Sequence, residues 1–252
     1  MLQVFPIAGI AEIATESDLV ADLIAGFEYS GLWPVARDVL VITQKIVSKA
    51  EGRFVDLATV APGAEAARIA AITKKDPRLV ELVLSESSVI LRAVPGVLIA
   101  RHRCGWVMAN AGIDQSNLGP GRADQVLLLP LDADASAARL AEALEARLGA
   151  DLPVVVSDSF GRPWRNGVVN VALGASRLPS LIDRRGTLDR DGRRLEVTQI
   201  ALADMVATAA GLVMGEGAEG IPAALVRGLV YDDAPAVPAS SLNRPVEQDL
   251  FQ

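Results

Sequence analysis

Three carboxylates, Asp114, Asp158 and Glu216, each stand directly after or beside an apolar run of the chain. The middle one belongs to Val154-Val-Val-Ser-Asp-Ser-Phe-Gly-Arg-Pro-Trp-Arg-Asn-Gly167, where three valines read as a buried strand that breaks into polar residues. An aspartate beside a hydroxyl at the C-terminal end of a strand can hold a divalent cation next to a phosphate, which makes Asp158 and Ser159 candidate ligands. Carboxylates and hydroxyls together are the hard oxygen set of Mg2+ or Mn2+, whereas softer metals call for His or Cys. Two such ions beside a nucleotide would neutralise a transferring phosphoryl group and align the attacking oxygen. Lys49, Arg162 and Arg165 could supply the remaining positive charge, the arginines through bidentate contacts to phosphate or carboxylate.

The same residues also fit plainer roles. Asp158-Ser159 could cap the next segment, the Asp114 loop could be an ordinary Asx-rich turn, and Lys49 and the arginines could be solvated. Met214-Gly-Glu-Gly-Ala-Glu-Gly220 offers three glycines and two carboxylates in seven residues. Such a stretch leaves backbone amides free for a phosphate, or is simply a helix C-cap with a flexible turn.

The elements that must position these groups are read from periodicity. A short strand within residues 1–13 ends in a turn at Gly9-Ile-Ala-Glu12, and Thr15-Glu-Ser-Asp18 opens a helix reaching about Tyr29. Asp38–Thr43 is a buried strand followed at once by the polar run Gln44–Gly52. Helices are expected over 64–73, 77–86 and 136–148, and strands over 89–91, 97–103 and 125–130, the second continuing past Gly105 to Met108. Residues 168–174 are apolar and small, 179–194 irregular with a turn at Asp189-Arg-Asp-Gly192. A helix runs from about Ala201 to Leu212, Pro222–Leu229 is a last core strand, and a Pro/Ala-rich tail ends the chain.

At 252 residues, 51% hydrophobic and 22% charged, the chain can bury a sizeable core. A net charge of −7 argues against a nucleic-acid binder. No apolar run approaches a membrane span and the N-terminus lacks a signal-peptide pattern, so the expected location is the cytoplasm, with no membrane partner. One cysteine and one histidine exclude an internal disulfide and a Cys/His zinc cluster. Cys104 reads as a small buried hydrophobe and His102, between Arg101 and Arg103, as a structural residue on a half-exposed strand. Neither a GxxxxGK[ST] loop nor a GxGxxG fingerprint is present, so any nucleotide would be held by an uncommon fold.

Over nearly its whole length the chain resembles the coenzyme F420-0:L-glutamate ligase family, which adds gamma-linked glutamates to a deazaflavin coenzyme. The resemblance rests on Phe5-Pro6 with Gly9, Ser48-Lys-Ala-Glu-Gly52, Asn110-Ala-Gly-Ile-Asp-Gln-Ser-Asn117, Ser157-Asp-Ser-Phe-Gly-Arg162, Arg165-Asn-Gly167, Met214-Gly-Glu-Gly-Ala-Glu-Gly-Ile-Pro222 and Val226-Arg-Gly228. It implies a mixed α/β (α+β) fold of the family's own two-lobed type, one ligase domain over 1–252, and an intertwined homodimer. It also implies divalent-metal ligation by Asp114, Asp158, Ser159 and Glu216. The GTP contacts implied are Gly9, Ile10, Ala11, Glu12, Gln44, Lys49, Asn117, Met214, Gly215, Glu216, Gly217, Ala218, Glu219, Gly220 and Ile221. The catalytic candidates are Lys49, Arg162 and Arg165.

The family's chemistry implies GTP as co-substrate, a pair of Mg2+ or Mn2+ ions, often K+, and F420-0 and L-glutamate as substrates. A carboxylate is a poor acyl donor, so transfer of the GTP γ-phosphate onto it, then attack of the glutamate amine, is the expected route. Ser159 stands where relatives often carry threonine, and Gln44-Lys45 where archaeal relatives have a small hydroxyl pair. The ending Asn243–Phe251 resembles actinobacterial relatives that continue into a flavin-dependent reductase domain; with the chain stopping at Gln252, no flavin chemistry is expected of this polypeptide. Two other readings use the same carboxylates: a glutamate ligase for a different carboxylate-bearing cofactor, and a metal-dependent phosphohydrolase.

Overall fold

A computed structural model describes residues 1–231 and 234–249. In chain order the elements are β1 (Gln3–Ile7), α1 (Leu19–Ser30), β2 (Val39–Thr43), α2 (Gln44–Ala50), β3 (Phe54–Asp56), α3 (Ala64–Thr73), α4 (Pro77–Ser85), β4 (Ser87–Val94) and β5 (Val97–His102). They continue as β6 (Val107–Ala109), β7 (Gln125–Leu127), α5 (Ala133–Leu148), β8 (Val154–Arg162), β9 (Arg165–Ser176), β10 (Leu181–Asp183), β11 (Gln199–Ala201), α6 (Leu202–Met214) and β12 (Ala223–Arg227). The fold is mixed α/β, built on a five-stranded sheet in the order β1-β12-β2-β8-β9 with three smaller sheets beside it.

Within the large sheet only β2 and β8 run parallel; the other neighbours are antiparallel. Both strands are continuous apolar runs because both faces of the sheet are covered. Leu40, Ile42, Val154, Val156 and Leu225 point into a core under α1, α2 and α5. Their alternate neighbours Val39, Val41, Val155, Ala224 and Val226 point into a second core under α6. The two-residue alternation of a strand thus divides one apolar segment between two cores. A third cluster lies under α3 and α4 against β5 and β7, with Ile69, Val80, Val83, Leu98 and Val126 at its centre.

Local signals set most boundaries. Asp18 caps α1 by accepting from Ala21 N at 3.0 Å, and Gly31 ends that helix in the left-handed region. Asp132 caps α5, so the helix begins three residues earlier than the apolar spacing from Ser136 indicates. Two expectations change. The strand 97–103 does not run on past Gly105; the chain turns back and β6 pairs antiparallel with β5. Nor does the central strand break at Asp158: β9 supplies partners for its backbone out to Arg162, so β8 carries Asp158 and Ser159 within the sheet. The tail returns across the body, where the Asp134 carboxylate accepts from Ala239 N and Asn243 Nδ2 donates to Cys104 O. Leu250 and Phe251 of the family-like ending lie outside the described residues.

His102 is a structural residue on a half-exposed strand, as expected: β5 alternates exposed and buried positions, and His102 faces inward onto Glu86 at the end of α4. Cys104, expected to be buried, is partly exposed at the β5–β6 turn. Glu86 is 6% exposed and meets Arg53 Nη2 at 3.1 Å, Arg103 Nη2 at 3.0 Å and His102 Nε2 at 3.5 Å. Burial alone would raise the Glu86 pKa, but His102, Arg103 and Arg53 outweigh it and hold the carboxyl below its ordinary value. A depressed folded-state pKa stabilises above the unfolded value and is lost as pH falls through the folded one. Glu86→Gln is therefore expected to cost about 2 kcal/mol at pH 7. In thermal unfolding against pH the gap to the parent should close as pH falls below the ordinary carboxylate range; a pH-independent gap would contradict the assignment.

Candidate active site

Parallel pairing of β2 with β8 puts Thr43 level with Ser157, so the next residues of both strands emerge at the same edge of the sheet. From β2 the chain passes directly into α2, and from Ser157 it passes to Asp158-Ser159. Crevices outside the carboxyl ends of strands are where α/β sheets bind ligands, and a cavity of about 710 Å3 opens there. Its walls come from residues 10–13 after β1, the first turns of α2, the loop 114–119, Ser157 to Ser159 in the middle of β8, Asn170 of β9 and the stretch 214–222.

The polar run after β2 is a helix, and its i, i+4 spacing organises the floor. Gln44 and Ser48 share one side: Ser48 Oγ donates to Gln44 Oε1 at 2.9 Å, and Gln44 Nε2 donates to Asp114 Oδ2 at 2.9 Å. Lys45 and Lys49 share the side facing the cavity. Lys45 Nζ lies 3.0 Å from Asp114 Oδ1, while Lys49 Nζ lies 2.5 Å from Glu12 Oε1. Asp114 itself is fixed through its backbone, which exchanges two 2.9 Å hydrogen bonds with Leu127.

Asp158 is the most perturbed acid of the cavity. Burial, with the negative charges of Asp114 and Glu216, pushes its pKa up to about 8 against the Ser159 amide and Lys45, which act the other way. The Ser159 N–H donates to Asp158 Oδ1 at 2.9 Å, so the side chain is held along its own strand. A register irregularity between Val156 and Ser157 immediately precedes it; bulges of this kind re-aim side chains beside functional sites.

Five carboxylates line the cavity, Glu12, Asp114, Asp158, Glu216 and Glu219, against the two ammonium groups of Lys45 and Lys49. Among the described residues, no three His, Cys, Asp or Glu side chains stand close enough to form a ready-made metal cluster. Asp114, Asp158, Ser159 and Glu216 nevertheless all face this space. A hard cation fits them by donor chemistry, all oxygens, and by charge, since five carboxylates face only two ammonium groups in this cavity.

Most residues expected at the site are brought together. Ile10, Ala11, Glu12, Lys49, Asn117 and the whole stretch from Met214 to Ile221 line the cavity, and Asn117 Nδ2 reaches Gly217 O at 3.4 Å. The backbone amide of Gly217 is not free, however: it donates to Glu219 Oε2 at 2.7 Å. Gln44 stands behind the wall, 1% exposed, and acts through Asp114. Gly9 does not line the cavity. Its φ of +75° and the Tyr29 ring, 2.4 Å from where a Cβ would stand, explain the glycine by the close approach of α1. Arg162 and Arg165 face each other across the end of the β8–β9 hairpin and line no part of the cavity. With β8 prolonged by its partner strand, the residues after Ser159 are carried away along the hairpin.

Lys45 and Asn170 are among the lining residues that a reading of the sequence for ligands passes over. Lys45 has a usable signal, since it lies one helical turn before Lys49, but with no helix assigned to the polar run 44–52 the shared face stays hidden. Asn170 has no local signal, because only the pairing of β9 with β8 sets it opposite Ser159.

The chain is similar to known proteins over most of its length. A family model described as F420-0:Gamma-glutamyl ligase matches residues 9–228. Over 250 residues the chain is 40% identical to the coenzyme F420:L-glutamate ligase of Methanothermobacter thermautotrophicus, covering 98% of this chain and 97% of that one. The protein of the same name from Methanopyrus kandleri is 48% identical over 192 residues, 76% of this chain and 75% of the relative. That of Halobacterium salinarum is 42% identical over 257 residues, 100% and 96% respectively. The cavity-forming segments from residue 10 to residue 222 all fall inside the matched region, and on that extent of likeness the chain belongs to the F420-0:gamma-glutamyl ligase family.

Proposed function

We propose that this ligase joins L-glutamate through its amine to the free carboxylate of coenzyme F420-0, using GTP and releasing GDP and phosphate. The observation that carries the nucleotide reading is the charge of the cavity. A triphosphate cannot enter a space with five carboxylates and two already paired lysines unless cations accompany it. Asp114, Asp158, Ser159 and Glu216 would hold Mg2+ or Mn2+, which when bound supplies Lewis-acid charge neutralisation to the phosphates. K+ would add to the same balance.

In the reaction proposed, an oxygen of the acceptor carboxylate attacks the γ-phosphorus and the bond to the GDP oxygen breaks. The acyl phosphate formed then has phosphate as a good leaving group. The glutamate nitrogen attacks the acyl carbon, loses its proton, and phosphate departs as the amide forms. The chain's part is to orient and to exclude water, since an acyl phosphate hydrolyses readily. Gln44 and Lys45 hold the Asp114 carboxylate from two sides, and Lys49, braced by Glu12, presents a fixed positive charge. The loop 214–222 forms the movable wall, and Glu219 leaves the Gly217 amide when phosphate takes its place.

The family's two-lobed, intertwined homodimer is consistent with surfaces of this chain. Met205 and Leu212 of α6 are 60% and 85% exposed, and Trp164 at the hairpin tip is 83% exposed, apolar side chains that a partner would cover in such a dimer. In such a dimer Arg162 and Arg165 would act at a site other than their own chain's cavity.

A mass-spectrometric assay with F420-0, L-glutamate, GTP and Mn2+ tests the reading. Product mass should rise in steps of one glutamyl unit, and the rise should vanish without metal or nucleotide. GTP cleavage that needs glutamate yet leaves F420-0 unchanged would point to a different acceptor. Cleavage indifferent to glutamate would replace the ligase by a phosphohydrolase.

A further inference from the structure

Lys45 is unlike the other cation of the cavity. Lys49 is shut in, its side chain 6% exposed and held on Glu12, whereas the Lys45 side chain is 25% exposed and spans open space to reach Asp114. Its other two contacts are long, 3.3 Å to Ser116 Oγ and 3.4 Å to Ser116 O. The ammonium therefore rests on Asp114 alone among strong partners, on the same carboxylate that the proposed metal site needs.

We propose that Lys45 is a phosphate-binding residue kept on Asp114 as a placeholder and released onto the polyphosphate when a divalent cation takes that carboxylate. The inference rests on the nucleotide reading above. A divalent cation at Asp114 would stand within a few ångströms of the ammonium, and like charges at that range in a recessed site repel strongly. The lysine must leave, and its flexible four-carbon stem allows it to turn while the backbone stays fixed in the first turn of α2. The anion nearest to hand is the triphosphate that arrives with the metal. The exchange leaves neither Asp114 nor Lys45 without an opposite charge in either state: ammonium on Asp114 without ligand, metal on Asp114 and ammonium on phosphate with it. Gln44, which is neutral and buried, stays on the other oxygen of Asp114 throughout.

The placeholder role has a signature that a structural role lacks, because it makes the lysine a competitor of the metal and a helper of the nucleotide. Binding of Mn2+ alone, read from the electron paramagnetic resonance of the free ion, and of GTP at saturating Mn2+, read by calorimetry, should be compared for the full chain and Lys45→Met. The substitution should tighten Mn2+ alone by about threefold or more and weaken GTP by about tenfold. Lys45→Arg should keep GTP binding within a few-fold of the parent. Weakening of both ligands together in Lys45→Met would overturn the proposal in favour of a purely structural lysine, as would unchanged GTP affinity in a folded variant. If the parent chain binds neither Mn2+ nor GTP, the nucleotide reading itself falls and Lys45 falls with it.

Discussion

Asp158→Ala should lower ligase turnover roughly a thousandfold or more while leaving the protein as stable as before or more so. The two halves of this expectation have separate causes. The activity is lost because Asp158, midway along β8, is recessed and faces Asp114 and Glu216, and no neighbouring group can replace its charge. The fold is kept because the residue's backbone is paired to Val171 of β9, and alanine in a strand preserves that pairing. Removing an acid that burial, with two like charges, has pushed up to about 8 also removes the cost of burying it, worth up to about 1 kcal/mol against the lost contact to the Ser159 amide. Steady-state assays and thermal unfolding of the same preparation check both halves. An active variant would remove Asp158 from the metal site. An inactive variant that melts well below the parent would make the residue structural.

Gly174→Ala is the largest expected loss of stability. A Cβ at this position of β9 would lie 2.1 Å from Ala133 O, 2.2 Å from Ala133 C and 2.6 Å from Asp134 N. All three are backbone atoms at the start of α5, which cannot turn aside as a side chain could, so the helix must lift from the sheet. The same junction carries the Asp134 carboxylate, which accepts from Ala175 N and Ala239 N at 2.8 Å each and so ties the returning tail to β9. The expected cost is about 3 kcal/mol or more, or a fall in Tm of about 10 °C for a chain of this size. Gly161→Ala, where no atom lies within 4 Å, is the matched control on the same hairpin and should melt with the parent. Equal melting of the two variants would show that α5 does not sit this closely on β9.

The contrast between these two positions marks what can be read before folding. Asp158 is legible, because a carboxylate and a hydroxyl ending a valine run are unusual against an apolar background, and the chemistry of hard cations needs that donor type. Gly174 is not, because its neighbour in space, Ala133, is forty-one residues away and leaves no local trace. The helices over 64–73 and 77–85 announce themselves by periodicity and by Pro77 at a first turn. The helix over 44–50 does not: it is two turns long, its apolar residues merge with the strand before it, and its polar residues look like a loop.

By itself, then, the order of residues determined the identities of the acids, the glycine-rich loop, the buried strands and, through its ordered motifs, the family. Side-chain chemistry and local periodicity are properties of neighbouring residues, so they survive in a linear reading. Only the tertiary structure decided which charges meet. Parallel pairing of β2 with β8 set Lys45 beside Asp158 from more than a hundred residues away, while the antiparallel pairing of β9 drew Arg162 and Arg165 off along a hairpin. Strand pairing is a long-range choice made by backbone hydrogen bonding and burial of both sheet faces, and no single segment carries enough of either to reveal it.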